Sequence, residues 1–201
     1  KETYITHVLS YTEVERLLSQ PDAQDFLGLR DRTVMELFYS SGLRLSELVM
    51  LNRNDVCIET CTMRVRGKGK KERVIPVTQT ACAWIKNYLN DPRRHTDAYH
   101  YSQKDSLAIF LNKWGRRITA RSIDRMFEKY LLKSGLSKKV TPHTIRHTIA
   151  THWLESGMDI KTIQTILGHA SIGTTTIYAQ VSTQLKKDVY QAAHPRALNK
   201  K

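Results

Sequence analysis

Cysteine is scarce: the 201 residues hold three, Cys57, Cys61 and Cys82. An odd, sparse set argues against a disulfide framework and predicts a reducing compartment, the cytoplasm. Cys57 and Cys61 are four apart, but no second pair exists to complete a zinc site. Long apolar runs are missing too. Nothing approaches the roughly 18 consecutive apolar residues of a membrane-spanning helix, and no secretory signal is visible, so no membrane is expected. The chain opens on Lys1 rather than Met, which predicts a processed or excised piece. Acidic residues are in deficit, with 19 Asp and Glu against 32 Lys and Arg, a net charge of +13 and a pI near 9.8. Such an excess predicts a polyanionic partner, nucleic acid first and an anionic membrane second. The bland alternative is a basic surface that serves solubility. There are no repeats and no low-complexity segments. A hydrophobic fraction of 40% is that of a globular chain, and the length suits one domain, or one and a small appendage.

The stretch richest in chemistry runs from 141 to 180, TPHTIRHTIATHWLESGMDIKTIQTILGHASIGTTTIYAQ. Pro142 is tolerated only in or before the first turn of a helix. His143 and Arg146, three apart, therefore share a face of its opening turns. Ile160, Ile163, Ile166 and Leu167 have helical periodicity and end at Gly168, a left-handed cap by position. The cap leaves His169 at a helix end, and Tyr178 comes nine residues later. A guanidinium binds non-bridging phosphate oxygens in a fork, imidazoles donate hydrogen bonds, and a phenol is a nucleophile. Together they suit attack on a phosphodiester. The competing reading is a metal site on His143 and His147, four apart. It lacks the HExxH glutamate, and Arg146 would set a fixed positive charge beside the ion. His147 and His152 read as packing or supporting histidines.

HTIRH, LGHASIGTT and TIYAQV, in this order and at these spacings, resemble the catalytic core of the tyrosine recombinases, the phage-integrase-type site-specific recombinases. Ile145 stands where Leu is usual, and Ala179-Gln180 replaces a common Thr-His after the tyrosine. Upstream, GLRLSEL resembles the family's first arginine box. Taken alone, Arg44 and Glu47 are a surface pair worth roughly a few tenths of a kcal/mol. The resemblance makes Arg44 a phosphate-binding arginine and Glu47 the group that orients it. GKGKKERVIPV resembles the family's hairpin box, with Lys68 at the catalytic position. It is not a nucleotide-binding loop, because the Gly-Lys-Ser/Thr ending is missing. Lys70, Lys71 and Arg73 read as DNA-backbone contacts or as solvent-facing. The segment VSTQLKKDVYQAAHPRA resembles the Xer group in particular.

Local patterns predict the elements between these boxes. Residues 1–9 read as an arm or linker. Thr12 to Glu15 reads as a capping box ahead of Val14, Leu17 and Leu18. A helix follows from Asp25 to Ser41, ended by Gly42. Residues 55 to 77 read as β, with short strands at Cys57-Ile58, Met63 to Val65 and Val74 to Val77, where Pro76 favours an edge. Thr78 caps a helix to Asn90. Residues 91–105 read as a surface loop whose His95 and His100 are not ligands, and Leu107 to Leu111 as a short apolar strand. Thr119 and Gly135 bound a helix with Ile123, Met126, Phe127, Tyr130 and Leu131 on its inner face. Thr183 to Ala193 reads as a last helix.

The resemblance implies a mainly α fold with a small antiparallel β-sheet. It implies a catalytic domain over 10–181 and a C-terminal segment, 182–201, that docks on a neighbouring protomer or in cis. The family's N-terminal clamp domain has no counterpart in this sequence. It implies a site-specific recombinase acting on double-stranded DNA. Tyr178 is the nucleophile, Arg44, Arg146, His143 and His169 hold the phosphate, and Lys68 is the proton donor. Arg121, Ser122 and Arg125 become groove contacts at the start of their helix. No metal, ATP or other cofactor is implied, and strand exchange passes through a Holliday junction within a homo- or hetero-tetramer on two DNA sites. The function is Xer-like dimer resolution or mobile-element integration and excision. The rival readings are a catalytically idle DNA-binding regulator and a type IB topoisomerase-like nicking-closing enzyme.

Overall fold

A computed structural model of the chain describes residues 8–67, 72–94, 105–136, 140–168 and 189–196. Helix α1 (Tyr11–Leu18) begins two residues earlier than the Thr12 box predicts. Ser10 is the cap, accepting the Glu13 N–H at 3.3 Å while the Glu13 carboxylate accepts the Ser10 N–H at 2.8 Å. Both S-x-x-E and T-x-x-E spacings occur here. The one that wins buries Leu9 and Val14, the two positions flanking the first turn, with Leu17 and Leu18.

Helix α2 (Phe26–Ser41) is the centre of the molecule, with Thr33 to Ser41 buried without a break. Asp25 caps its start and Gly42, at φ 57°, ends it. It packs against α4 (Gln79–Asn90), capped by Thr78, and α6 (Pro142–Glu155), capped by Thr141 with Pro142 at the first helical position. α7 (Ile160–Leu167) packs on α6. α5 (Ala120–Ser134), capped by Thr119 and closed by Gly135, packs against α1 and α3 (Leu45–Met50). The Tyr130 hydroxyl donates to Asp31 at 3.0 Å, fastening α5 to α2.

The sheet is a three-stranded antiparallel meander, β1 (Val56–Cys57), β2 (Thr62–Arg66) and β3 (Glu72–Pro76). Met63 pairs with Ile75 and Arg66 with Glu72. Met63 and Val65 face the core while Arg64 and Arg66 face out, the period of two expected of a half-buried strand. Pro76 lies at the end of an edge strand, where its missing N–H costs no ladder bond. The apolar run Leu107 to Leu111 does not form the expected strand. It makes only isolated bridges, Ala108 to Asn52 and Leu111 to Arg117. Four consecutive residues, Ala108 to Leu111, are buried, so no alternation is left for a sheet face.

Residues 189–193 are helical, and residues 189–196 pack on α2 of their own chain. Tyr190 is buried with its hydroxyl 2.6 Å from the Ser40 carbonyl, and His194 Nε2 lies 3.2 Å from the Tyr39 carbonyl. Among the described residues, no helix is long and apolar enough to cross a membrane.

Candidate active site

Two helix C-termini meet at the site. α2 ends at Gly42 and α7 at Gly168, both in the left-handed conformation. A helix end leaves backbone carbonyls without intrahelical partners and carries partial negative charge. Here arginines take those carbonyls. Arg146 donates to the Gly42 carbonyl and, at 2.7 Å, to the Leu167 carbonyl. Arg44 donates to the Gly168 carbonyl at 2.7 Å. Arg73 donates through Nε to the Ile166 carbonyl at 3.0 Å.

Glu47 sits between the cations. Its Oε1 accepts from Arg44 at 2.9 Å and from Arg73 at 2.8 Å, and its Oε2 accepts from Arg73 and the Arg44 backbone N–H at 3.0 and 2.9 Å. Its side chain is 3% exposed, against 41% for Arg44. Burial pushes the Glu47 carboxyl up. The hydrogen bonds from Arg73 and Arg44 outweigh burial and hold it below its ordinary value. Arg146 is itself buried. Burial first, then the charges of Arg44 and Arg73 with Glu47 opposing, lowers it to about 10, so it stays a cation at neutral pH.

An open cleft of about 420 Å³ lies against this array, lined by Arg44, Asp124, Thr141, His143 and Arg146 among others. The first turn of α6 supplies His143, exposed, and Arg146, buried, one turn apart. Both line the cleft, and Arg44 and Glu47 are in contact. Arg121 and Arg125 are exposed on α5 and Ser122 is partly so, its N–H donating to the Thr119 cap. Lys68, Lys70, Lys71, His169 and Tyr178, like His95 and His100, lie outside the described residues.

Two expectations are corrected. Arg73 is not solvent-facing: its side chain is 18% exposed and its guanidinium engages Glu47 and the end of α7. The signal was in the strand. Arg73 and Ile75 are two apart, so they share the inner face, and Val74 between them is the exposed one. His147 does not pack either. It is exposed one turn beyond His143, while His152 is buried between the Tyr39 hydroxyl, 2.8 Å away, and the Leu9 carbonyl, 2.9 Å away. Among the described residues no three His, Cys, Asp or Glu side chains cluster as metal ligands would.

Comparison with known proteins places the chain in a family. Residues 7–184 match the phage integrase family. The chain is 60% identical over 189 residues to a tyrosine recombinase XerC of Chlamydia pneumoniae, covering 94% of this chain and 59% of that protein. It is 42% identical over 196 residues to a tyrosine recombinase XerC of Syntrophus aciditrophicus, covering 98% and 63%. The chain thus spans about three-fifths of the length of these relatives. The crystal structure of XerA recombinase superposes with a TM-score of 0.70 at 32% identity, over 94% of this chain and 66% of that one. The XerH recombinase bound to its difH substrate before cleavage shares the fold, with a TM-score of 0.69 at 24% identity over 92% and 49%. The family match over residues 7–184 together with the XerC relatives shows that the chain belongs to the phage integrase family of tyrosine recombinases, in its Xer group.

Proposed function

We propose that the chain is the catalytic part of a site-specific DNA recombinase, Xer-like in its task. The observation that carries this is the convergence of Arg44, Arg146 and His143 on one open cleft, with both arginines braced by helix-end carbonyls. Bracing fixes cations where charge develops on a phosphate under attack, so no reorganisation is needed during reaction. In this reading Tyr178 attacks the scissile phosphorus through its phenolic oxygen. The bond to the 5′-oxygen breaks, Lys68 gives that oxygen a proton, and a 3′-phosphotyrosine is left. Arg44, Arg146, His143 and His169 hold the non-bridging oxygens. A 5′-hydroxyl from the exchange partner then reverses the step. The phosphotyrosine retains the bond energy, so neither ATP nor a metal ion enters.

Arg121, Ser122 and Arg125 open α5 beside the cleft, where Asp124 of the same turn already lines it, and contact DNA there. Lys70 and Lys71 contact the DNA backbone. Two structurally similar recombinases, XerH and the Tn1549 transposon integrase, are seen with DNA. The working assembly is a tetramer on two DNA sites in the cytoplasm.

The test is incubation with a nicked duplex that traps the covalent intermediate, resolved on a denaturing gel. The chain should form a protein–DNA adduct. Tyr178→Phe, which keeps the ring and loses the nucleophilic oxygen, should bind DNA as before and form none. An adduct with the Phe variant would assign the nucleophile elsewhere. No adduct with the unaltered chain would favour a non-catalytic DNA binder.

A further inference from the structure

We infer that Arg73 is a positioning residue of this active site, an inference that rests on the recombinase reading above. Its guanidinium makes three separate engagements. Nη1 and Nη2 grip the two oxygens of Glu47 at 2.8 and 3.0 Å. Nε holds the Ile166 carbonyl at 3.0 Å. Its face fills the space above Gly168, where a Cβ would come within 2.8 Å of the guanidinium carbon and 2.9 Å of Nη1. The last observation is independent of the first two. It supplies a reason for glycine at 168 beyond its φ of 67°: Arg73 occupies the place of a side chain.

The consequence runs through Glu47. A carboxylate that met Arg44 alone could swing with that exposed arginine. Gripped on both oxygens by Arg73, it becomes a fixed point from which Arg44 reaches the cleft. The same guanidinium braces the end of α7, whose next two carbonyls receive Arg146 and Arg44 at 2.7 Å each. Arg73 thus sets the separation of the two arginines that the phosphate must meet. It does so from strand β3, five residues after Lys68 in the sequence. Being largely buried, it has no part in binding DNA.

The experiment uses a nicked duplex carrying a site selected from a random pool by its binding to the chain. Single-turnover adduct formation is measured at saturating protein, alongside Kd and the thermal midpoint. Arg73→Ala should slow adduct formation by about 100-fold, the size of effect seen when reacting groups are misplaced by an ångström, and leave Kd unchanged. Arg73→Lys, which keeps the charge and most of the bulk but loses the fork, should be similarly slow. It provides the answer if the alanine variant does not fold. A bridging 5′-sulfur should not restore either variant, because the defect lies in the grip on the phosphate and not in proton delivery. The double variant with Glu47→Gln should be no slower than the slower single one, since the two side chains act as a unit.

A Kd that weakens while the saturated rate holds would make Arg73 a DNA contact and overturn the inference. A lysine variant at the unaltered rate would overturn it by showing that charge alone suffices, and rescue by sulfur would overturn it in favour of the lysine hairpin. An unaltered chain that forms adduct while Arg73→Ala keeps pace overturns this inference alone. An unaltered chain that forms none overturns the recombinase reading and this inference with it.

Discussion

Arg44 and Arg73 share the Glu47 carboxylate close to Arg146, which burial first of all lowers to about 10, with repulsion from Arg44 and Arg73 adding to the effect and Glu47 opposing it. A site that holds several cations against their repulsion gains most from an incoming anion, so the strain favours a phosphate in the cleft. Proton delivery needs a separate residue, because each of these arginines is committed to a carbonyl or a carboxylate. In the proposed mechanism that residue is Lys68. A departing 5′-alkoxide has a pKa far above the roughly 10.4 of lysine and needs a proton, whereas a 5′-thiolate does not. Lys68→Ala should therefore cleave ordinary DNA about 10²–10⁴-fold more slowly. It should recover most of its rate on DNA with a bridging 5′-sulfur, while Arg146→Ala should not. Single-turnover rates on the paired substrates decide the point. Equal slowness on both would make Lys68 a phosphate grip and pass the acid to Lys70.

Helix ends shape the cleft more than helix faces do. α2 and α7 stop at glycines that approach each other's neighbourhood, and the carbonyls they expose are the anchors for Arg146, Arg44 and Arg73. At Gly42 a Cβ would lie 2.6 Å from Leu167 Cδ2 and 3.3 Å from Ile149 Cγ2, at a φ of 57°. Gly42→Ala should thus cost about 1–3 kcal/mol through left-handed strain and overpacking together. For a chain of this size, each kcal/mol lowers the thermal midpoint by about 2–4 °C. An unchanged midpoint would mean that α7 can retreat freely from α2. Both glycines are readable as helix stops in the linear order of residues, but their mutual approach is not, because 42 and 168 are distant along the chain.

The two ends of the described chain close on α2 through one buried network. The Leu9 carbonyl, His152, the Tyr39 hydroxyl and backbone, His194, Tyr190 and Ser40 follow one another in hydrogen-bond contact. Burial lowers His194 to about 3, with the nearby Arg196 and His152 adding to the effect, and burial also lowers His152. Burial favours the neutral form of both histidines in the folded chain, whereas an unfolded histidine takes a proton below about 6.5. Their contribution to stability is complete above that value and is lost as pH falls toward the folded value. For His194 the slope reaches about 1.4 kcal/mol per pH unit. Urea midpoints should therefore drop between pH 7 and pH 5.5, and His194→Gln should flatten the drop. An equal drop in that variant would move the acid sensitivity to other groups.

Much of this architecture was legible residue by residue. Pro142 and Thr141 start α6, Asp25 and Gly42 bound α2, and Thr119 and Gly135 bound α5. These signals are local: a proline ring, a capping oxygen or a glycine at positive φ acts within one turn, whatever the rest of the chain does. The order and spacing of the arginine, hairpin and C-terminal boxes likewise carry the family in the linear text. Long-range packing decided the rest. It chose Ser10 over Thr12 as a cap because that register buries Leu9. It refused a strand to Leu107–Leu111 because the core surrounds Ala108 to Leu111 on every side. It turned Arg73 inward because a carboxylate on α3 and a carbonyl on α7 wait there together. The partners of a buried cation come from elements far apart in the chain, and only their meeting in space can meet the cost of taking its charge out of water.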